Sequence, residues 1–511
     1  MPPPLALAIT LLLIGYLIRR DGRVAPRPSP VVWIPILWLL INGSRQPSQW
    51  LGIRSGSLGQ ALYEGSPVDE VIYGTLIVAG ILVLANRRVP ISQLSKNSSW
   101  IILFFLYEGI SCVWSEFPSI SFRRWIKASG DLVMVFILVS EAYPVRAITA
   151  AIKRSGYILI PLSVLLIKYY EDMGRVIDDW GRSYYTGVTL DKNMFGYLLF
   201  AYALFFASAL VHAFRQDASS HPTRRTDLIS YALLLAMVAW LTPLANSKTS
   251  LFALISGIAV ILALQFPRIK RHLWSFVIAI VIIAAICNEL FSVNSAVLEA
   301  SGRDASFTGR TGIWQTVLSE PINPLLGTGY TAFWMGERLQ RIWNLYPNTP
   351  LLQAHNGYIE VYLNLGVVGL ALLCGVLWTG LRNARHRLVD AAYYTTGNPD
   401  DSLFRTFAIA YILAYLLYNI TEATFQGLNF LFIIFLLLAF DFQRTCFDAN
   451  GSYIEQRNGS VAVTSWESNG QIQTTTSLCG RSKCIAPQKM IAARGSSTQA
   501  LSCRSAASTR R

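Results

Sequence analysis

The stretch that organises this chain runs from Gly302 to Gly369 and reads GRDASFTGRTGIWQTVLSEPINPLLGTGYTAFWMGERLQRIWNLYPNTPLLQAHNGYIEVYLNLGVVG. Its first part is polar and rich in proline and glycine, and its last part opens a hydrophobic run. This pattern predicts a long loop outside the membrane that leads into a membrane helix. Cations and an imidazole gather beside that helix at Arg303, Arg310 and His355, so we expect the functional residues here.

Hydrophobic runs recur on both sides of this stretch. The chain of 511 residues is 53% hydrophobic and 14% charged, whereas soluble domains carry roughly 25% charged residues. The sequence therefore predicts an all-α polytopic membrane protein with about 12 to 13 transmembrane helices, formed by a membrane domain over residues 1–441. The runs lie near 5–18, 31–41, 71–85, 100–114, 132–143, 157–167, 194–214, 228–241, 251–266, 273–291, 355–380, 403–418 and 428–441.

Charge predicts the topology of these runs. Basic residues concentrate in every second loop and acidic residues in the others, as the positive-inside rule requires. This places the 292–354 loop, between the tenth and eleventh runs, on the outer side and the C-terminus inside; an odd number of spans puts the N-terminus outside. One segment breaks the rule, because Arg123, Arg124 and Lys127 fall on the predicted outer side.

Several other functions and structures are disfavoured. The net charge of +14 arises largely from short loops and shows no basic stripe with interleaved aromatics, so nucleic-acid binding is not expected. The seven cysteines form no disulfide or zinc framework. Asp178 and Asp179 are adjacent, so their side chains point apart and no metal site is predicted. Residues 442–511 are rich in Ser, Thr, Gln, Gly and Arg, and are predicted to be a disordered cytoplasmic tail.

His355 is the leading catalytic candidate. It stands at the outer mouth of a predicted membrane helix, just after Pro347 and Pro350, which favour a helix start soon afterwards. A helix N-terminus disfavours imidazolium, and a neutral imidazole can act as a general base. The alternative is an interfacial histidine that is hydrogen-bonded to a carbonyl.

Cations near this histidine suit a diphosphate ligand. Arg310 and Arg303 are always charged and can form bidentate hydrogen bonds with phosphate oxygens. The alternative is a solvated loop whose arginine side chains snorkel to the membrane interface. Lys248 lies in the polar break PLANSKTS (243–250), which could equally be an ordinary hairpin turn. Lys192 and Asn193 could hold a sugar or a phosphate, while Asp191 before them could simply cap a helix.

Three motifs together resemble the O-antigen ligase / O-antigen polymerase family of bacterial membrane glycosyltransferases. They are Gly309-Arg310-Thr-Gly-Ile-Trp314 followed by a Pro/Gly segment, Asn246-Ser-Lys248-Thr where the family often has arginine, and His355-Asn356, nine residues, then Gly366-x-x-Gly369. Asn42-Gly-Ser-Arg45 and Trp114-Ser-Glu-Phe-Pro118 resemble the exopolysaccharide-production branch.

This resemblance implies a reaction at the periplasmic face of the bacterial inner membrane. The enzyme would move a glycan from undecaprenyl diphosphate to an acceptor hydroxyl with inversion, using no cofactor, nucleotide sugar or obligatory metal. His355 matches the general base, Arg310 the essential arginine that contacts the diphosphate, and Lys248 a second phosphate-binding position. Arg303 is a further diphosphate candidate, and Asn356 is a candidate substrate contact.

Several acceptors and other functions remain open, including a protein acceptor and a non-catalytic assembly partner. A polymerase of exopolysaccharide or O-antigen repeats, which we favour, uses another lipid-linked glycan; a ligase uses lipid A-core. Either enzyme would contact the lipid bilayer, and either could have a chain-length regulator as a partner. A flippase for lipid-linked glycan is the alternative of another class, but transporters typically show repeated halves and ionisable groups at mid-membrane, whereas these charges cluster at the outer mouth.

Overall fold

The computed structural model describes residues 1–24, 27–53, 65–87, 98–177, 183–216, 223–272, 275, 310–346, 351–389, 400–441, 446–447, 453–457, 460–466 and 472–478. The chain divides into two compact units, Met1–Gln443 and Arg444–Arg511.

The described residues of the first unit are mostly helical. Seven of its described helices are long and apolar enough to span a membrane, and four shorter apolar helices accompany them. Twelve of the thirteen apolar runs lie on helices, and the tenth falls almost wholly outside the described residues. The structure thus confirms an all-α polytopic membrane protein. The helices are α1 Pro3–Asp21, α2 Trp33–Asn42, α3 Pro47–Trp50, α4 Pro67–Asn86, α5 Ser99–Ser111, α6 Pro118–Val139, α7 Pro144–Tyr169, α8 Glu171–Gly174, α9 Lys192–Arg215, α10 Arg224–Ala245, α11 Lys248–Ala263, α12 Pro267–Arg271, α13 Arg310–Ser319, α14 Gly336–Leu345, α15 Gly357–Val389, α16 Asp400–Tyr418 and α17 Phe430–Ala439.

Burial follows the hydrophobic pattern of each helix. All ten residues of α17 are buried, as expected for a helix that is apolar on every side. Most of α7 and α9 is also buried, whereas α1 and α4 leave most of their apolar side chains exposed, where lipid can cover them. The helix α9 packs against α10, α11 and α16, and α15 packs against α5, α16 and α17.

The helices α6 and α7 begin well before their apolar runs, and the added turns carry charged side chains. The helix α7 extends well beyond the run at 157–167 and includes three buried cations near its start, Arg146, Lys153 and Arg154. The helix α6 begins fourteen residues before the run at 132–143, since charged side chains in its first turns find partners. Lys127 Nζ lies 3.9 Å from Glu70 Oε1, and Arg124 Nη1 donates to the Thr331 carbonyl at 3.1 Å.

Hydrogen bonds and ion pairs join the helix ends, with their loops, into two sets. One set contains mainly the basic loops: Arg154 Nε donates to Asp21 Oδ2 at 2.7 Å, and Arg20 pairs with Asp227. The other set contains the acidic loops and the 310–346 segment. This grouping agrees with the alternation predicted from charge. It also accounts for the cations at the start of α6, which belong to the second set and contact Glu70 and Thr331 there.

The described part of the long loop has a small core of its own. The helices α13 and α14 bury Val317, Leu339 and Ile342, and this cluster continues to Ala354 and Leu363. The segment 321–330 between the two helices then docks onto α15. The loop is therefore fixed against the residues that precede and begin α15.

Docking takes place where α15 is interrupted at Gly366, which has φ 65° and ψ −165°. The break frees two backbone donors, so that Val367 N donates to Pro324 O at 2.9 Å and Val368 N to Leu325 O at 3.2 Å. A Cβ at position 366 would lie 2.2 Å from the Leu325 carbonyl oxygen. Only glycine satisfies both the backbone conformation and this close approach.

Strands are few. A short antiparallel hairpin pairs β1 Arg175–Ile177 with β2 Ser183–Tyr185. The second unit contains a four-stranded antiparallel sheet in the order β3 Cys446–Phe447, β4 Tyr453–Arg457, β5 Ser460–Trp466 and β6 Ile472–Leu478. The strands β5 and β6 are rich in Val and Thr, which favour extended backbone. The disorder and the cytoplasmic side expected for 442–511 both stay predictions.

Candidate active site

His355 lies in a short segment that is held on both sides before α15 begins. The preceding residue, Ala354, donates its N–H to Glu360 Oε2 at 2.8 Å and accepts from Trp314 Nε1 at 2.9 Å. The following residue, Asn356, accepts from the N–H groups of the first turn of α15 and donates to Ile420 O at 3.0 Å. These contacts fix the backbone around the imidazole.

The backbone of His355 is itself in an uncommon conformation. Its φ is 50°, in the left-handed region that non-glycine residues rarely adopt. Such a conformation costs on the order of 1–3 kcal/mol and persists only where surrounding contacts impose it. At His355 those contacts aim the ring toward the loop that follows α16.

Glu422 joins the two residues that the sequence selected. Its Oε1 lies 2.5 Å from Arg310 Nη2, and its Oε2 lies 3.2 Å from His355 Nδ1. The carboxylate is buried, with 5% of its side chain exposed, while 16% of the Arg310 side chain and 23% of the His355 side chain remain accessible. The acid is therefore covered by its partners, and the cation and the imidazole keep surface for a ligand.

Sequence reasoning missed Glu422. It is the one charged residue in the break 419–429 between the last two apolar runs. The signal in the sequence was an acidic residue close to the membrane interior, where charged side chains are often functional. Its meaning depends on the folded chain, because Glu422 is 112 residues from Arg310 and 67 from His355 in sequence.

The polar break at Lys248 contacts the loop that contains Glu422. Thr421 Oγ1 donates to Thr249 Oγ1 at 3.2 Å, so the start of α11 contacts the residue that precedes Glu422. Lys248 is the exposed first residue of α11. The three motifs that carried the family resemblance thus meet in one place.

The segment at Asp191 also reaches the site. Asp191 Oδ1 accepts from Asn193 N at 2.8 Å and Met194 N at 2.9 Å, so it caps α9, as its alternative interpretation held. The packing of protein around this carboxyl, which stays open to water on one side, raises its pKa. The Glu422 charge adds to that rise in pKa and His355 opposes it, which places Asp191 within electrostatic reach of both.

The remaining candidates have other contacts or lie elsewhere. Lys192 Nζ sits over the Tyr184 ring at 4.5 Å from its centroid. The side-chain amide of Asn356 bonds to the backbone on both sides, which gives it a structural role. Substrate contact by these two residues and Asn193 stays a prediction. Arg303, Asp178, Asp179, Pro347 and Pro350 lie outside the described residues. Within the described ranges, no three His, Cys, Asp or Glu side chains group as metal ligands.

Comparison with known proteins gives two findings. Residues 231–374 match the family model described as O-antigen ligase, and this region contains Lys248, Arg310 and His355. The chain is also 26% identical over 317 residues to the "Exopolysaccharide production protein ExoQ" of Rhizobium meliloti (strain 1021), covering 60% of this chain and 70% of that relative. These findings confirm the resemblance to the O-antigen ligase family and to its exopolysaccharide branch.

Proposed function

We propose that this membrane protein with an O-antigen ligase domain transfers a glycan from undecaprenyl diphosphate to an acceptor hydroxyl at the periplasmic face of the bacterial inner membrane. The transfer is inverting and metal-independent, and the product is a polymer of exopolysaccharide or O-antigen repeat units. One observation carries the proposal: Glu422 holds an imidazole and a guanidinium at one site, beside the polar start of α11.

His355 is the general base in this proposal. When its Nδ1 carries the proton and donates to Glu422, its Nε2 has a free lone pair for the acceptor hydroxyl. A sugar hydroxyl is a poor nucleophile at neutral pH, and a positioned base contributes about 10²–10⁴-fold to the rate. Glu422 acts through the ring by fixing its orientation and tautomer, so it is a positioning residue.

Arg310 is the residue that stabilises the leaving group. A guanidinium carries five N–H donors, so its contact with Glu422 does not exhaust them. Forked donors match phosphate oxygens, and a fixed cation stabilises the negative charge that develops as the diphosphate leaves. Lys248 and Arg303 are proposed as further diphosphate contacts, with Lys248 supplying charge without a fork.

His355 and Arg310 account for the proton and the leaving group in the transfer. The acceptor oxygen forms a bond to the anomeric carbon while the bond from that carbon to the diphosphate oxygen breaks. The electron pair of the broken bond leaves on the diphosphate, opposite Arg310, and the hydroxyl proton passes to His355. Attack from the side opposite the leaving group inverts the anomeric carbon.

A specific observation favours each acceptor. The printed name of the relative, an exopolysaccharide production protein, favours chain growth onto another lipid-linked glycan. The family description, O-antigen ligase, favours transfer to lipid A-core. Polymerisation is the favoured reaction, because the relative matches more of this chain than the family model does.

Purified protein and a labelled lipid-diphosphate glycan provide the test. A polymerase yields a ladder of longer lipid-linked glycans, and a ligase yields product only when lipid A-core is added. Translocation of an unchanged donor across a vesicle membrane would indicate a flippase and overturn the proposal. In cells, deletion of the gene should leave single-repeat glycans for a polymerase and long unattached chains for a ligase.

A further inference from the structure

Ala354, which precedes the candidate base, is held on both sides by residues that have no role in the transfer so far. Its carbonyl accepts from Trp314 Nε1 at 2.9 Å, and its N–H donates to Glu360 Oε2 at 2.8 Å. Ala354 is buried. Buried backbone groups need hydrogen-bond partners, and here both partners are side chains from elements that pack against the His355 segment.

The Ala354 carbonyl controls the uncommon conformation of His355. A peptide unit is planar, so the direction of this carbonyl fixes the plane that contains the His355 nitrogen. The φ angle of His355 is the rotation about the bond from that nitrogen to Cα, and its value of 50° is rarely adopted by residues other than glycine. Such a conformation persists only where contacts impose it. The Trp314 N–H imposes it directly, because it holds the plane from which φ is measured.

Trp314 belongs to the same helix as the leaving-group cation. Arg310 and Trp314 are four residues apart on α13, so their side chains lie on one face, one turn apart. Arg310 Nη2 lies 2.5 Å from Glu422 Oε1, and Glu422 Oε2 lies 3.2 Å from His355 Nδ1. The cation and the base are therefore joined twice, once through the Glu422 carboxylate and once through the Trp314 ring and the Ala354 carbonyl.

Glu360 holds the other side of Ala354 and is surrounded by donors. Its Oε1 accepts from Trp334 Nε1 at 2.7 Å and from Asn364 Nδ2 at 3.1 Å, while its Oε2 accepts from Ala354 N. The Asn364 amide is oriented by a further contact, because its Oδ1 accepts from Phe333 N at 3.2 Å. A carboxylate satisfies all three donors at Glu360, whereas a glutamine amide has one acceptor oxygen.

We propose that Trp314 and Glu360 are positioning residues that hold the His355 ring in the orientation of a general base, at a fixed separation from Arg310. This inference rests on the proposed function, since that function makes His355 the base. Both residues act through the backbone of Ala354. A displacement of about 1 Å at reacting groups can cost on the order of 100-fold in rate, so contacts of this kind contribute to kcat from outside the reacting atoms.

Trp314→Phe is the first test, because phenylalanine keeps an aromatic ring and lacks the N–H. We expect kcat for glycan transfer by the purified full-length protein to fall about tenfold. KM for the lipid-diphosphate donor should stay within about twofold of wild type, because Arg310 keeps its contact with Glu422. A lower kcat at an unchanged KM separates a misplaced base from a damaged donor site.

Trp343→Phe is the matched control. Trp343 Nε1 donates to Leu351 O at 2.9 Å, so the variant loses the same type of bond, of the same length, in the same loop. That bond does not involve the peptide next to His355. Both kcat and KM of this variant should stay within about twofold of wild type.

A second measurement does not depend on catalysis. Diethyl pyrocarbonate modifies neutral imidazole rings, and mass spectrometry quantifies modified His355 against His272, which is exposed in the same protein. We expect modification of His355 to become roughly threefold faster in Trp314→Phe and to stay unchanged in Trp343→Phe, because only 23% of the His355 side chain is exposed while its segment is held. If the wild type transfers no glycan, the proposed function fails, and these rates still decide whether Trp314 holds the ring.

Glu360→Gln provides an independent variant. The glutamine oxygen should take the two donors at the Oε1 position, which leaves its NH2 facing the Ala354 N–H. We expect the same result as for Trp314→Phe, with a lower kcat, a preserved KM and faster modification of His355. A normal kcat with a normal modification rate in either variant removes that residue from the proposal. Equal changes in Trp314→Phe and Trp343→Phe, or failure of both Trp314→Phe and Glu360→Gln to fold, would show a purely structural role and overturn the proposal.

Discussion

Replacement of Glu422 by glutamine tests the central feature of the site. The change keeps the shape of the side chain and removes the charge that both Arg310 and His355 contact. Both partners present N–H groups, yet a glutamine amide has only one acceptor oxygen. If the amide oxygen accepts from Arg310, the amide NH2 either faces the Nδ1–H of His355 or donates to Nδ1 in the other tautomer, whose Nε2 carries the proton and cannot act as the base.

The expected magnitude follows from the contacts that are lost. A hydrogen bond to a charged group contributes about 1.5–3 kcal/mol, and about 1.4 kcal/mol corresponds to a factor of ten in rate. Loss of one such contact at the reacting groups thus lowers kcat roughly 10- to 150-fold. Because 16% of Arg310 and 23% of His355 remain accessible to solvent, water partly compensates, and we expect the lower half of that range.

The assay is transfer of labelled glycan by purified protein, with kcat and KM for the donor measured across pH. We expect kcat to fall, its pH profile to change and the thermal midpoint to stay within a few degrees of wild type. Glu422→Asp keeps the charge on a shorter side chain and should recover part of the rate. A merely structural role for Glu422 would lower protein yield and leave the pH profile unmoved.

Glu116→Gln is the matched control. Glu116 Oε1 lies 2.5 Å from Arg338 Nη2, so it forms the same type of pair at the same set of helix ends without contacting His355. Its rate should stay within about twofold of wild type, because half of the Glu116 side chain is exposed and water can replace the lost contact. The reasoning is refuted if Glu422→Gln keeps more than half of the wild-type rate, or if both variants lose the same amount.

Three further predictions concern the surroundings of Glu422. His355→Ala should abolish transfer while protein level and membrane insertion stay normal on immunoblots of washed membranes; full activity would remove the base assignment. Gly357→Ala should lower both the thermal midpoint and the activity, because the added Cβ would lie 2.3 Å from Asn419 Oδ1. Gly312→Ala should be neutral, because the nearest atom to its added Cβ would be 3.7 Å away. Equal effects of the two substitutions would contradict this packing. The raised pKa of Asp191 means that the folded state takes up a proton at higher pH than the unfolded chain does. Protonation of Asp191 therefore favours folding at low pH, and this contribution is lost as pH rises through the folded pKa. The thermal midpoint of the wild type should rise relative to that of Asp191→Asn as pH falls from 7 to 4.5, and parallel curves for the two proteins would contradict the pKa shift.

Much of the fold could be predicted because hydrophobicity is a local property. Twelve apolar runs lie on helices, and the alternation of loop charge agrees with the two sets of helix ends. Helix bounds were least predictable where charges are buried, as in α7, because Arg146 and Lys153 look like loop residues until Asp21 is seen beside them. The cations at the start of α6 are another case, since their partners are Glu70 and Thr331.

The sequence by itself determined the class of protein, and it singled out His355, Arg310 and Lys248 as candidate site residues. Each of these depends on residue type and spacing along the chain. The tertiary structure alone brought Glu422 between Arg310 and His355, placed the Pro324 carbonyl against the break at Gly366, and enclosed three cations around Asp21. These are contacts between residues that are far apart in sequence, and they exist only once the helices pack, because packing and not spacing decides which side chains meet.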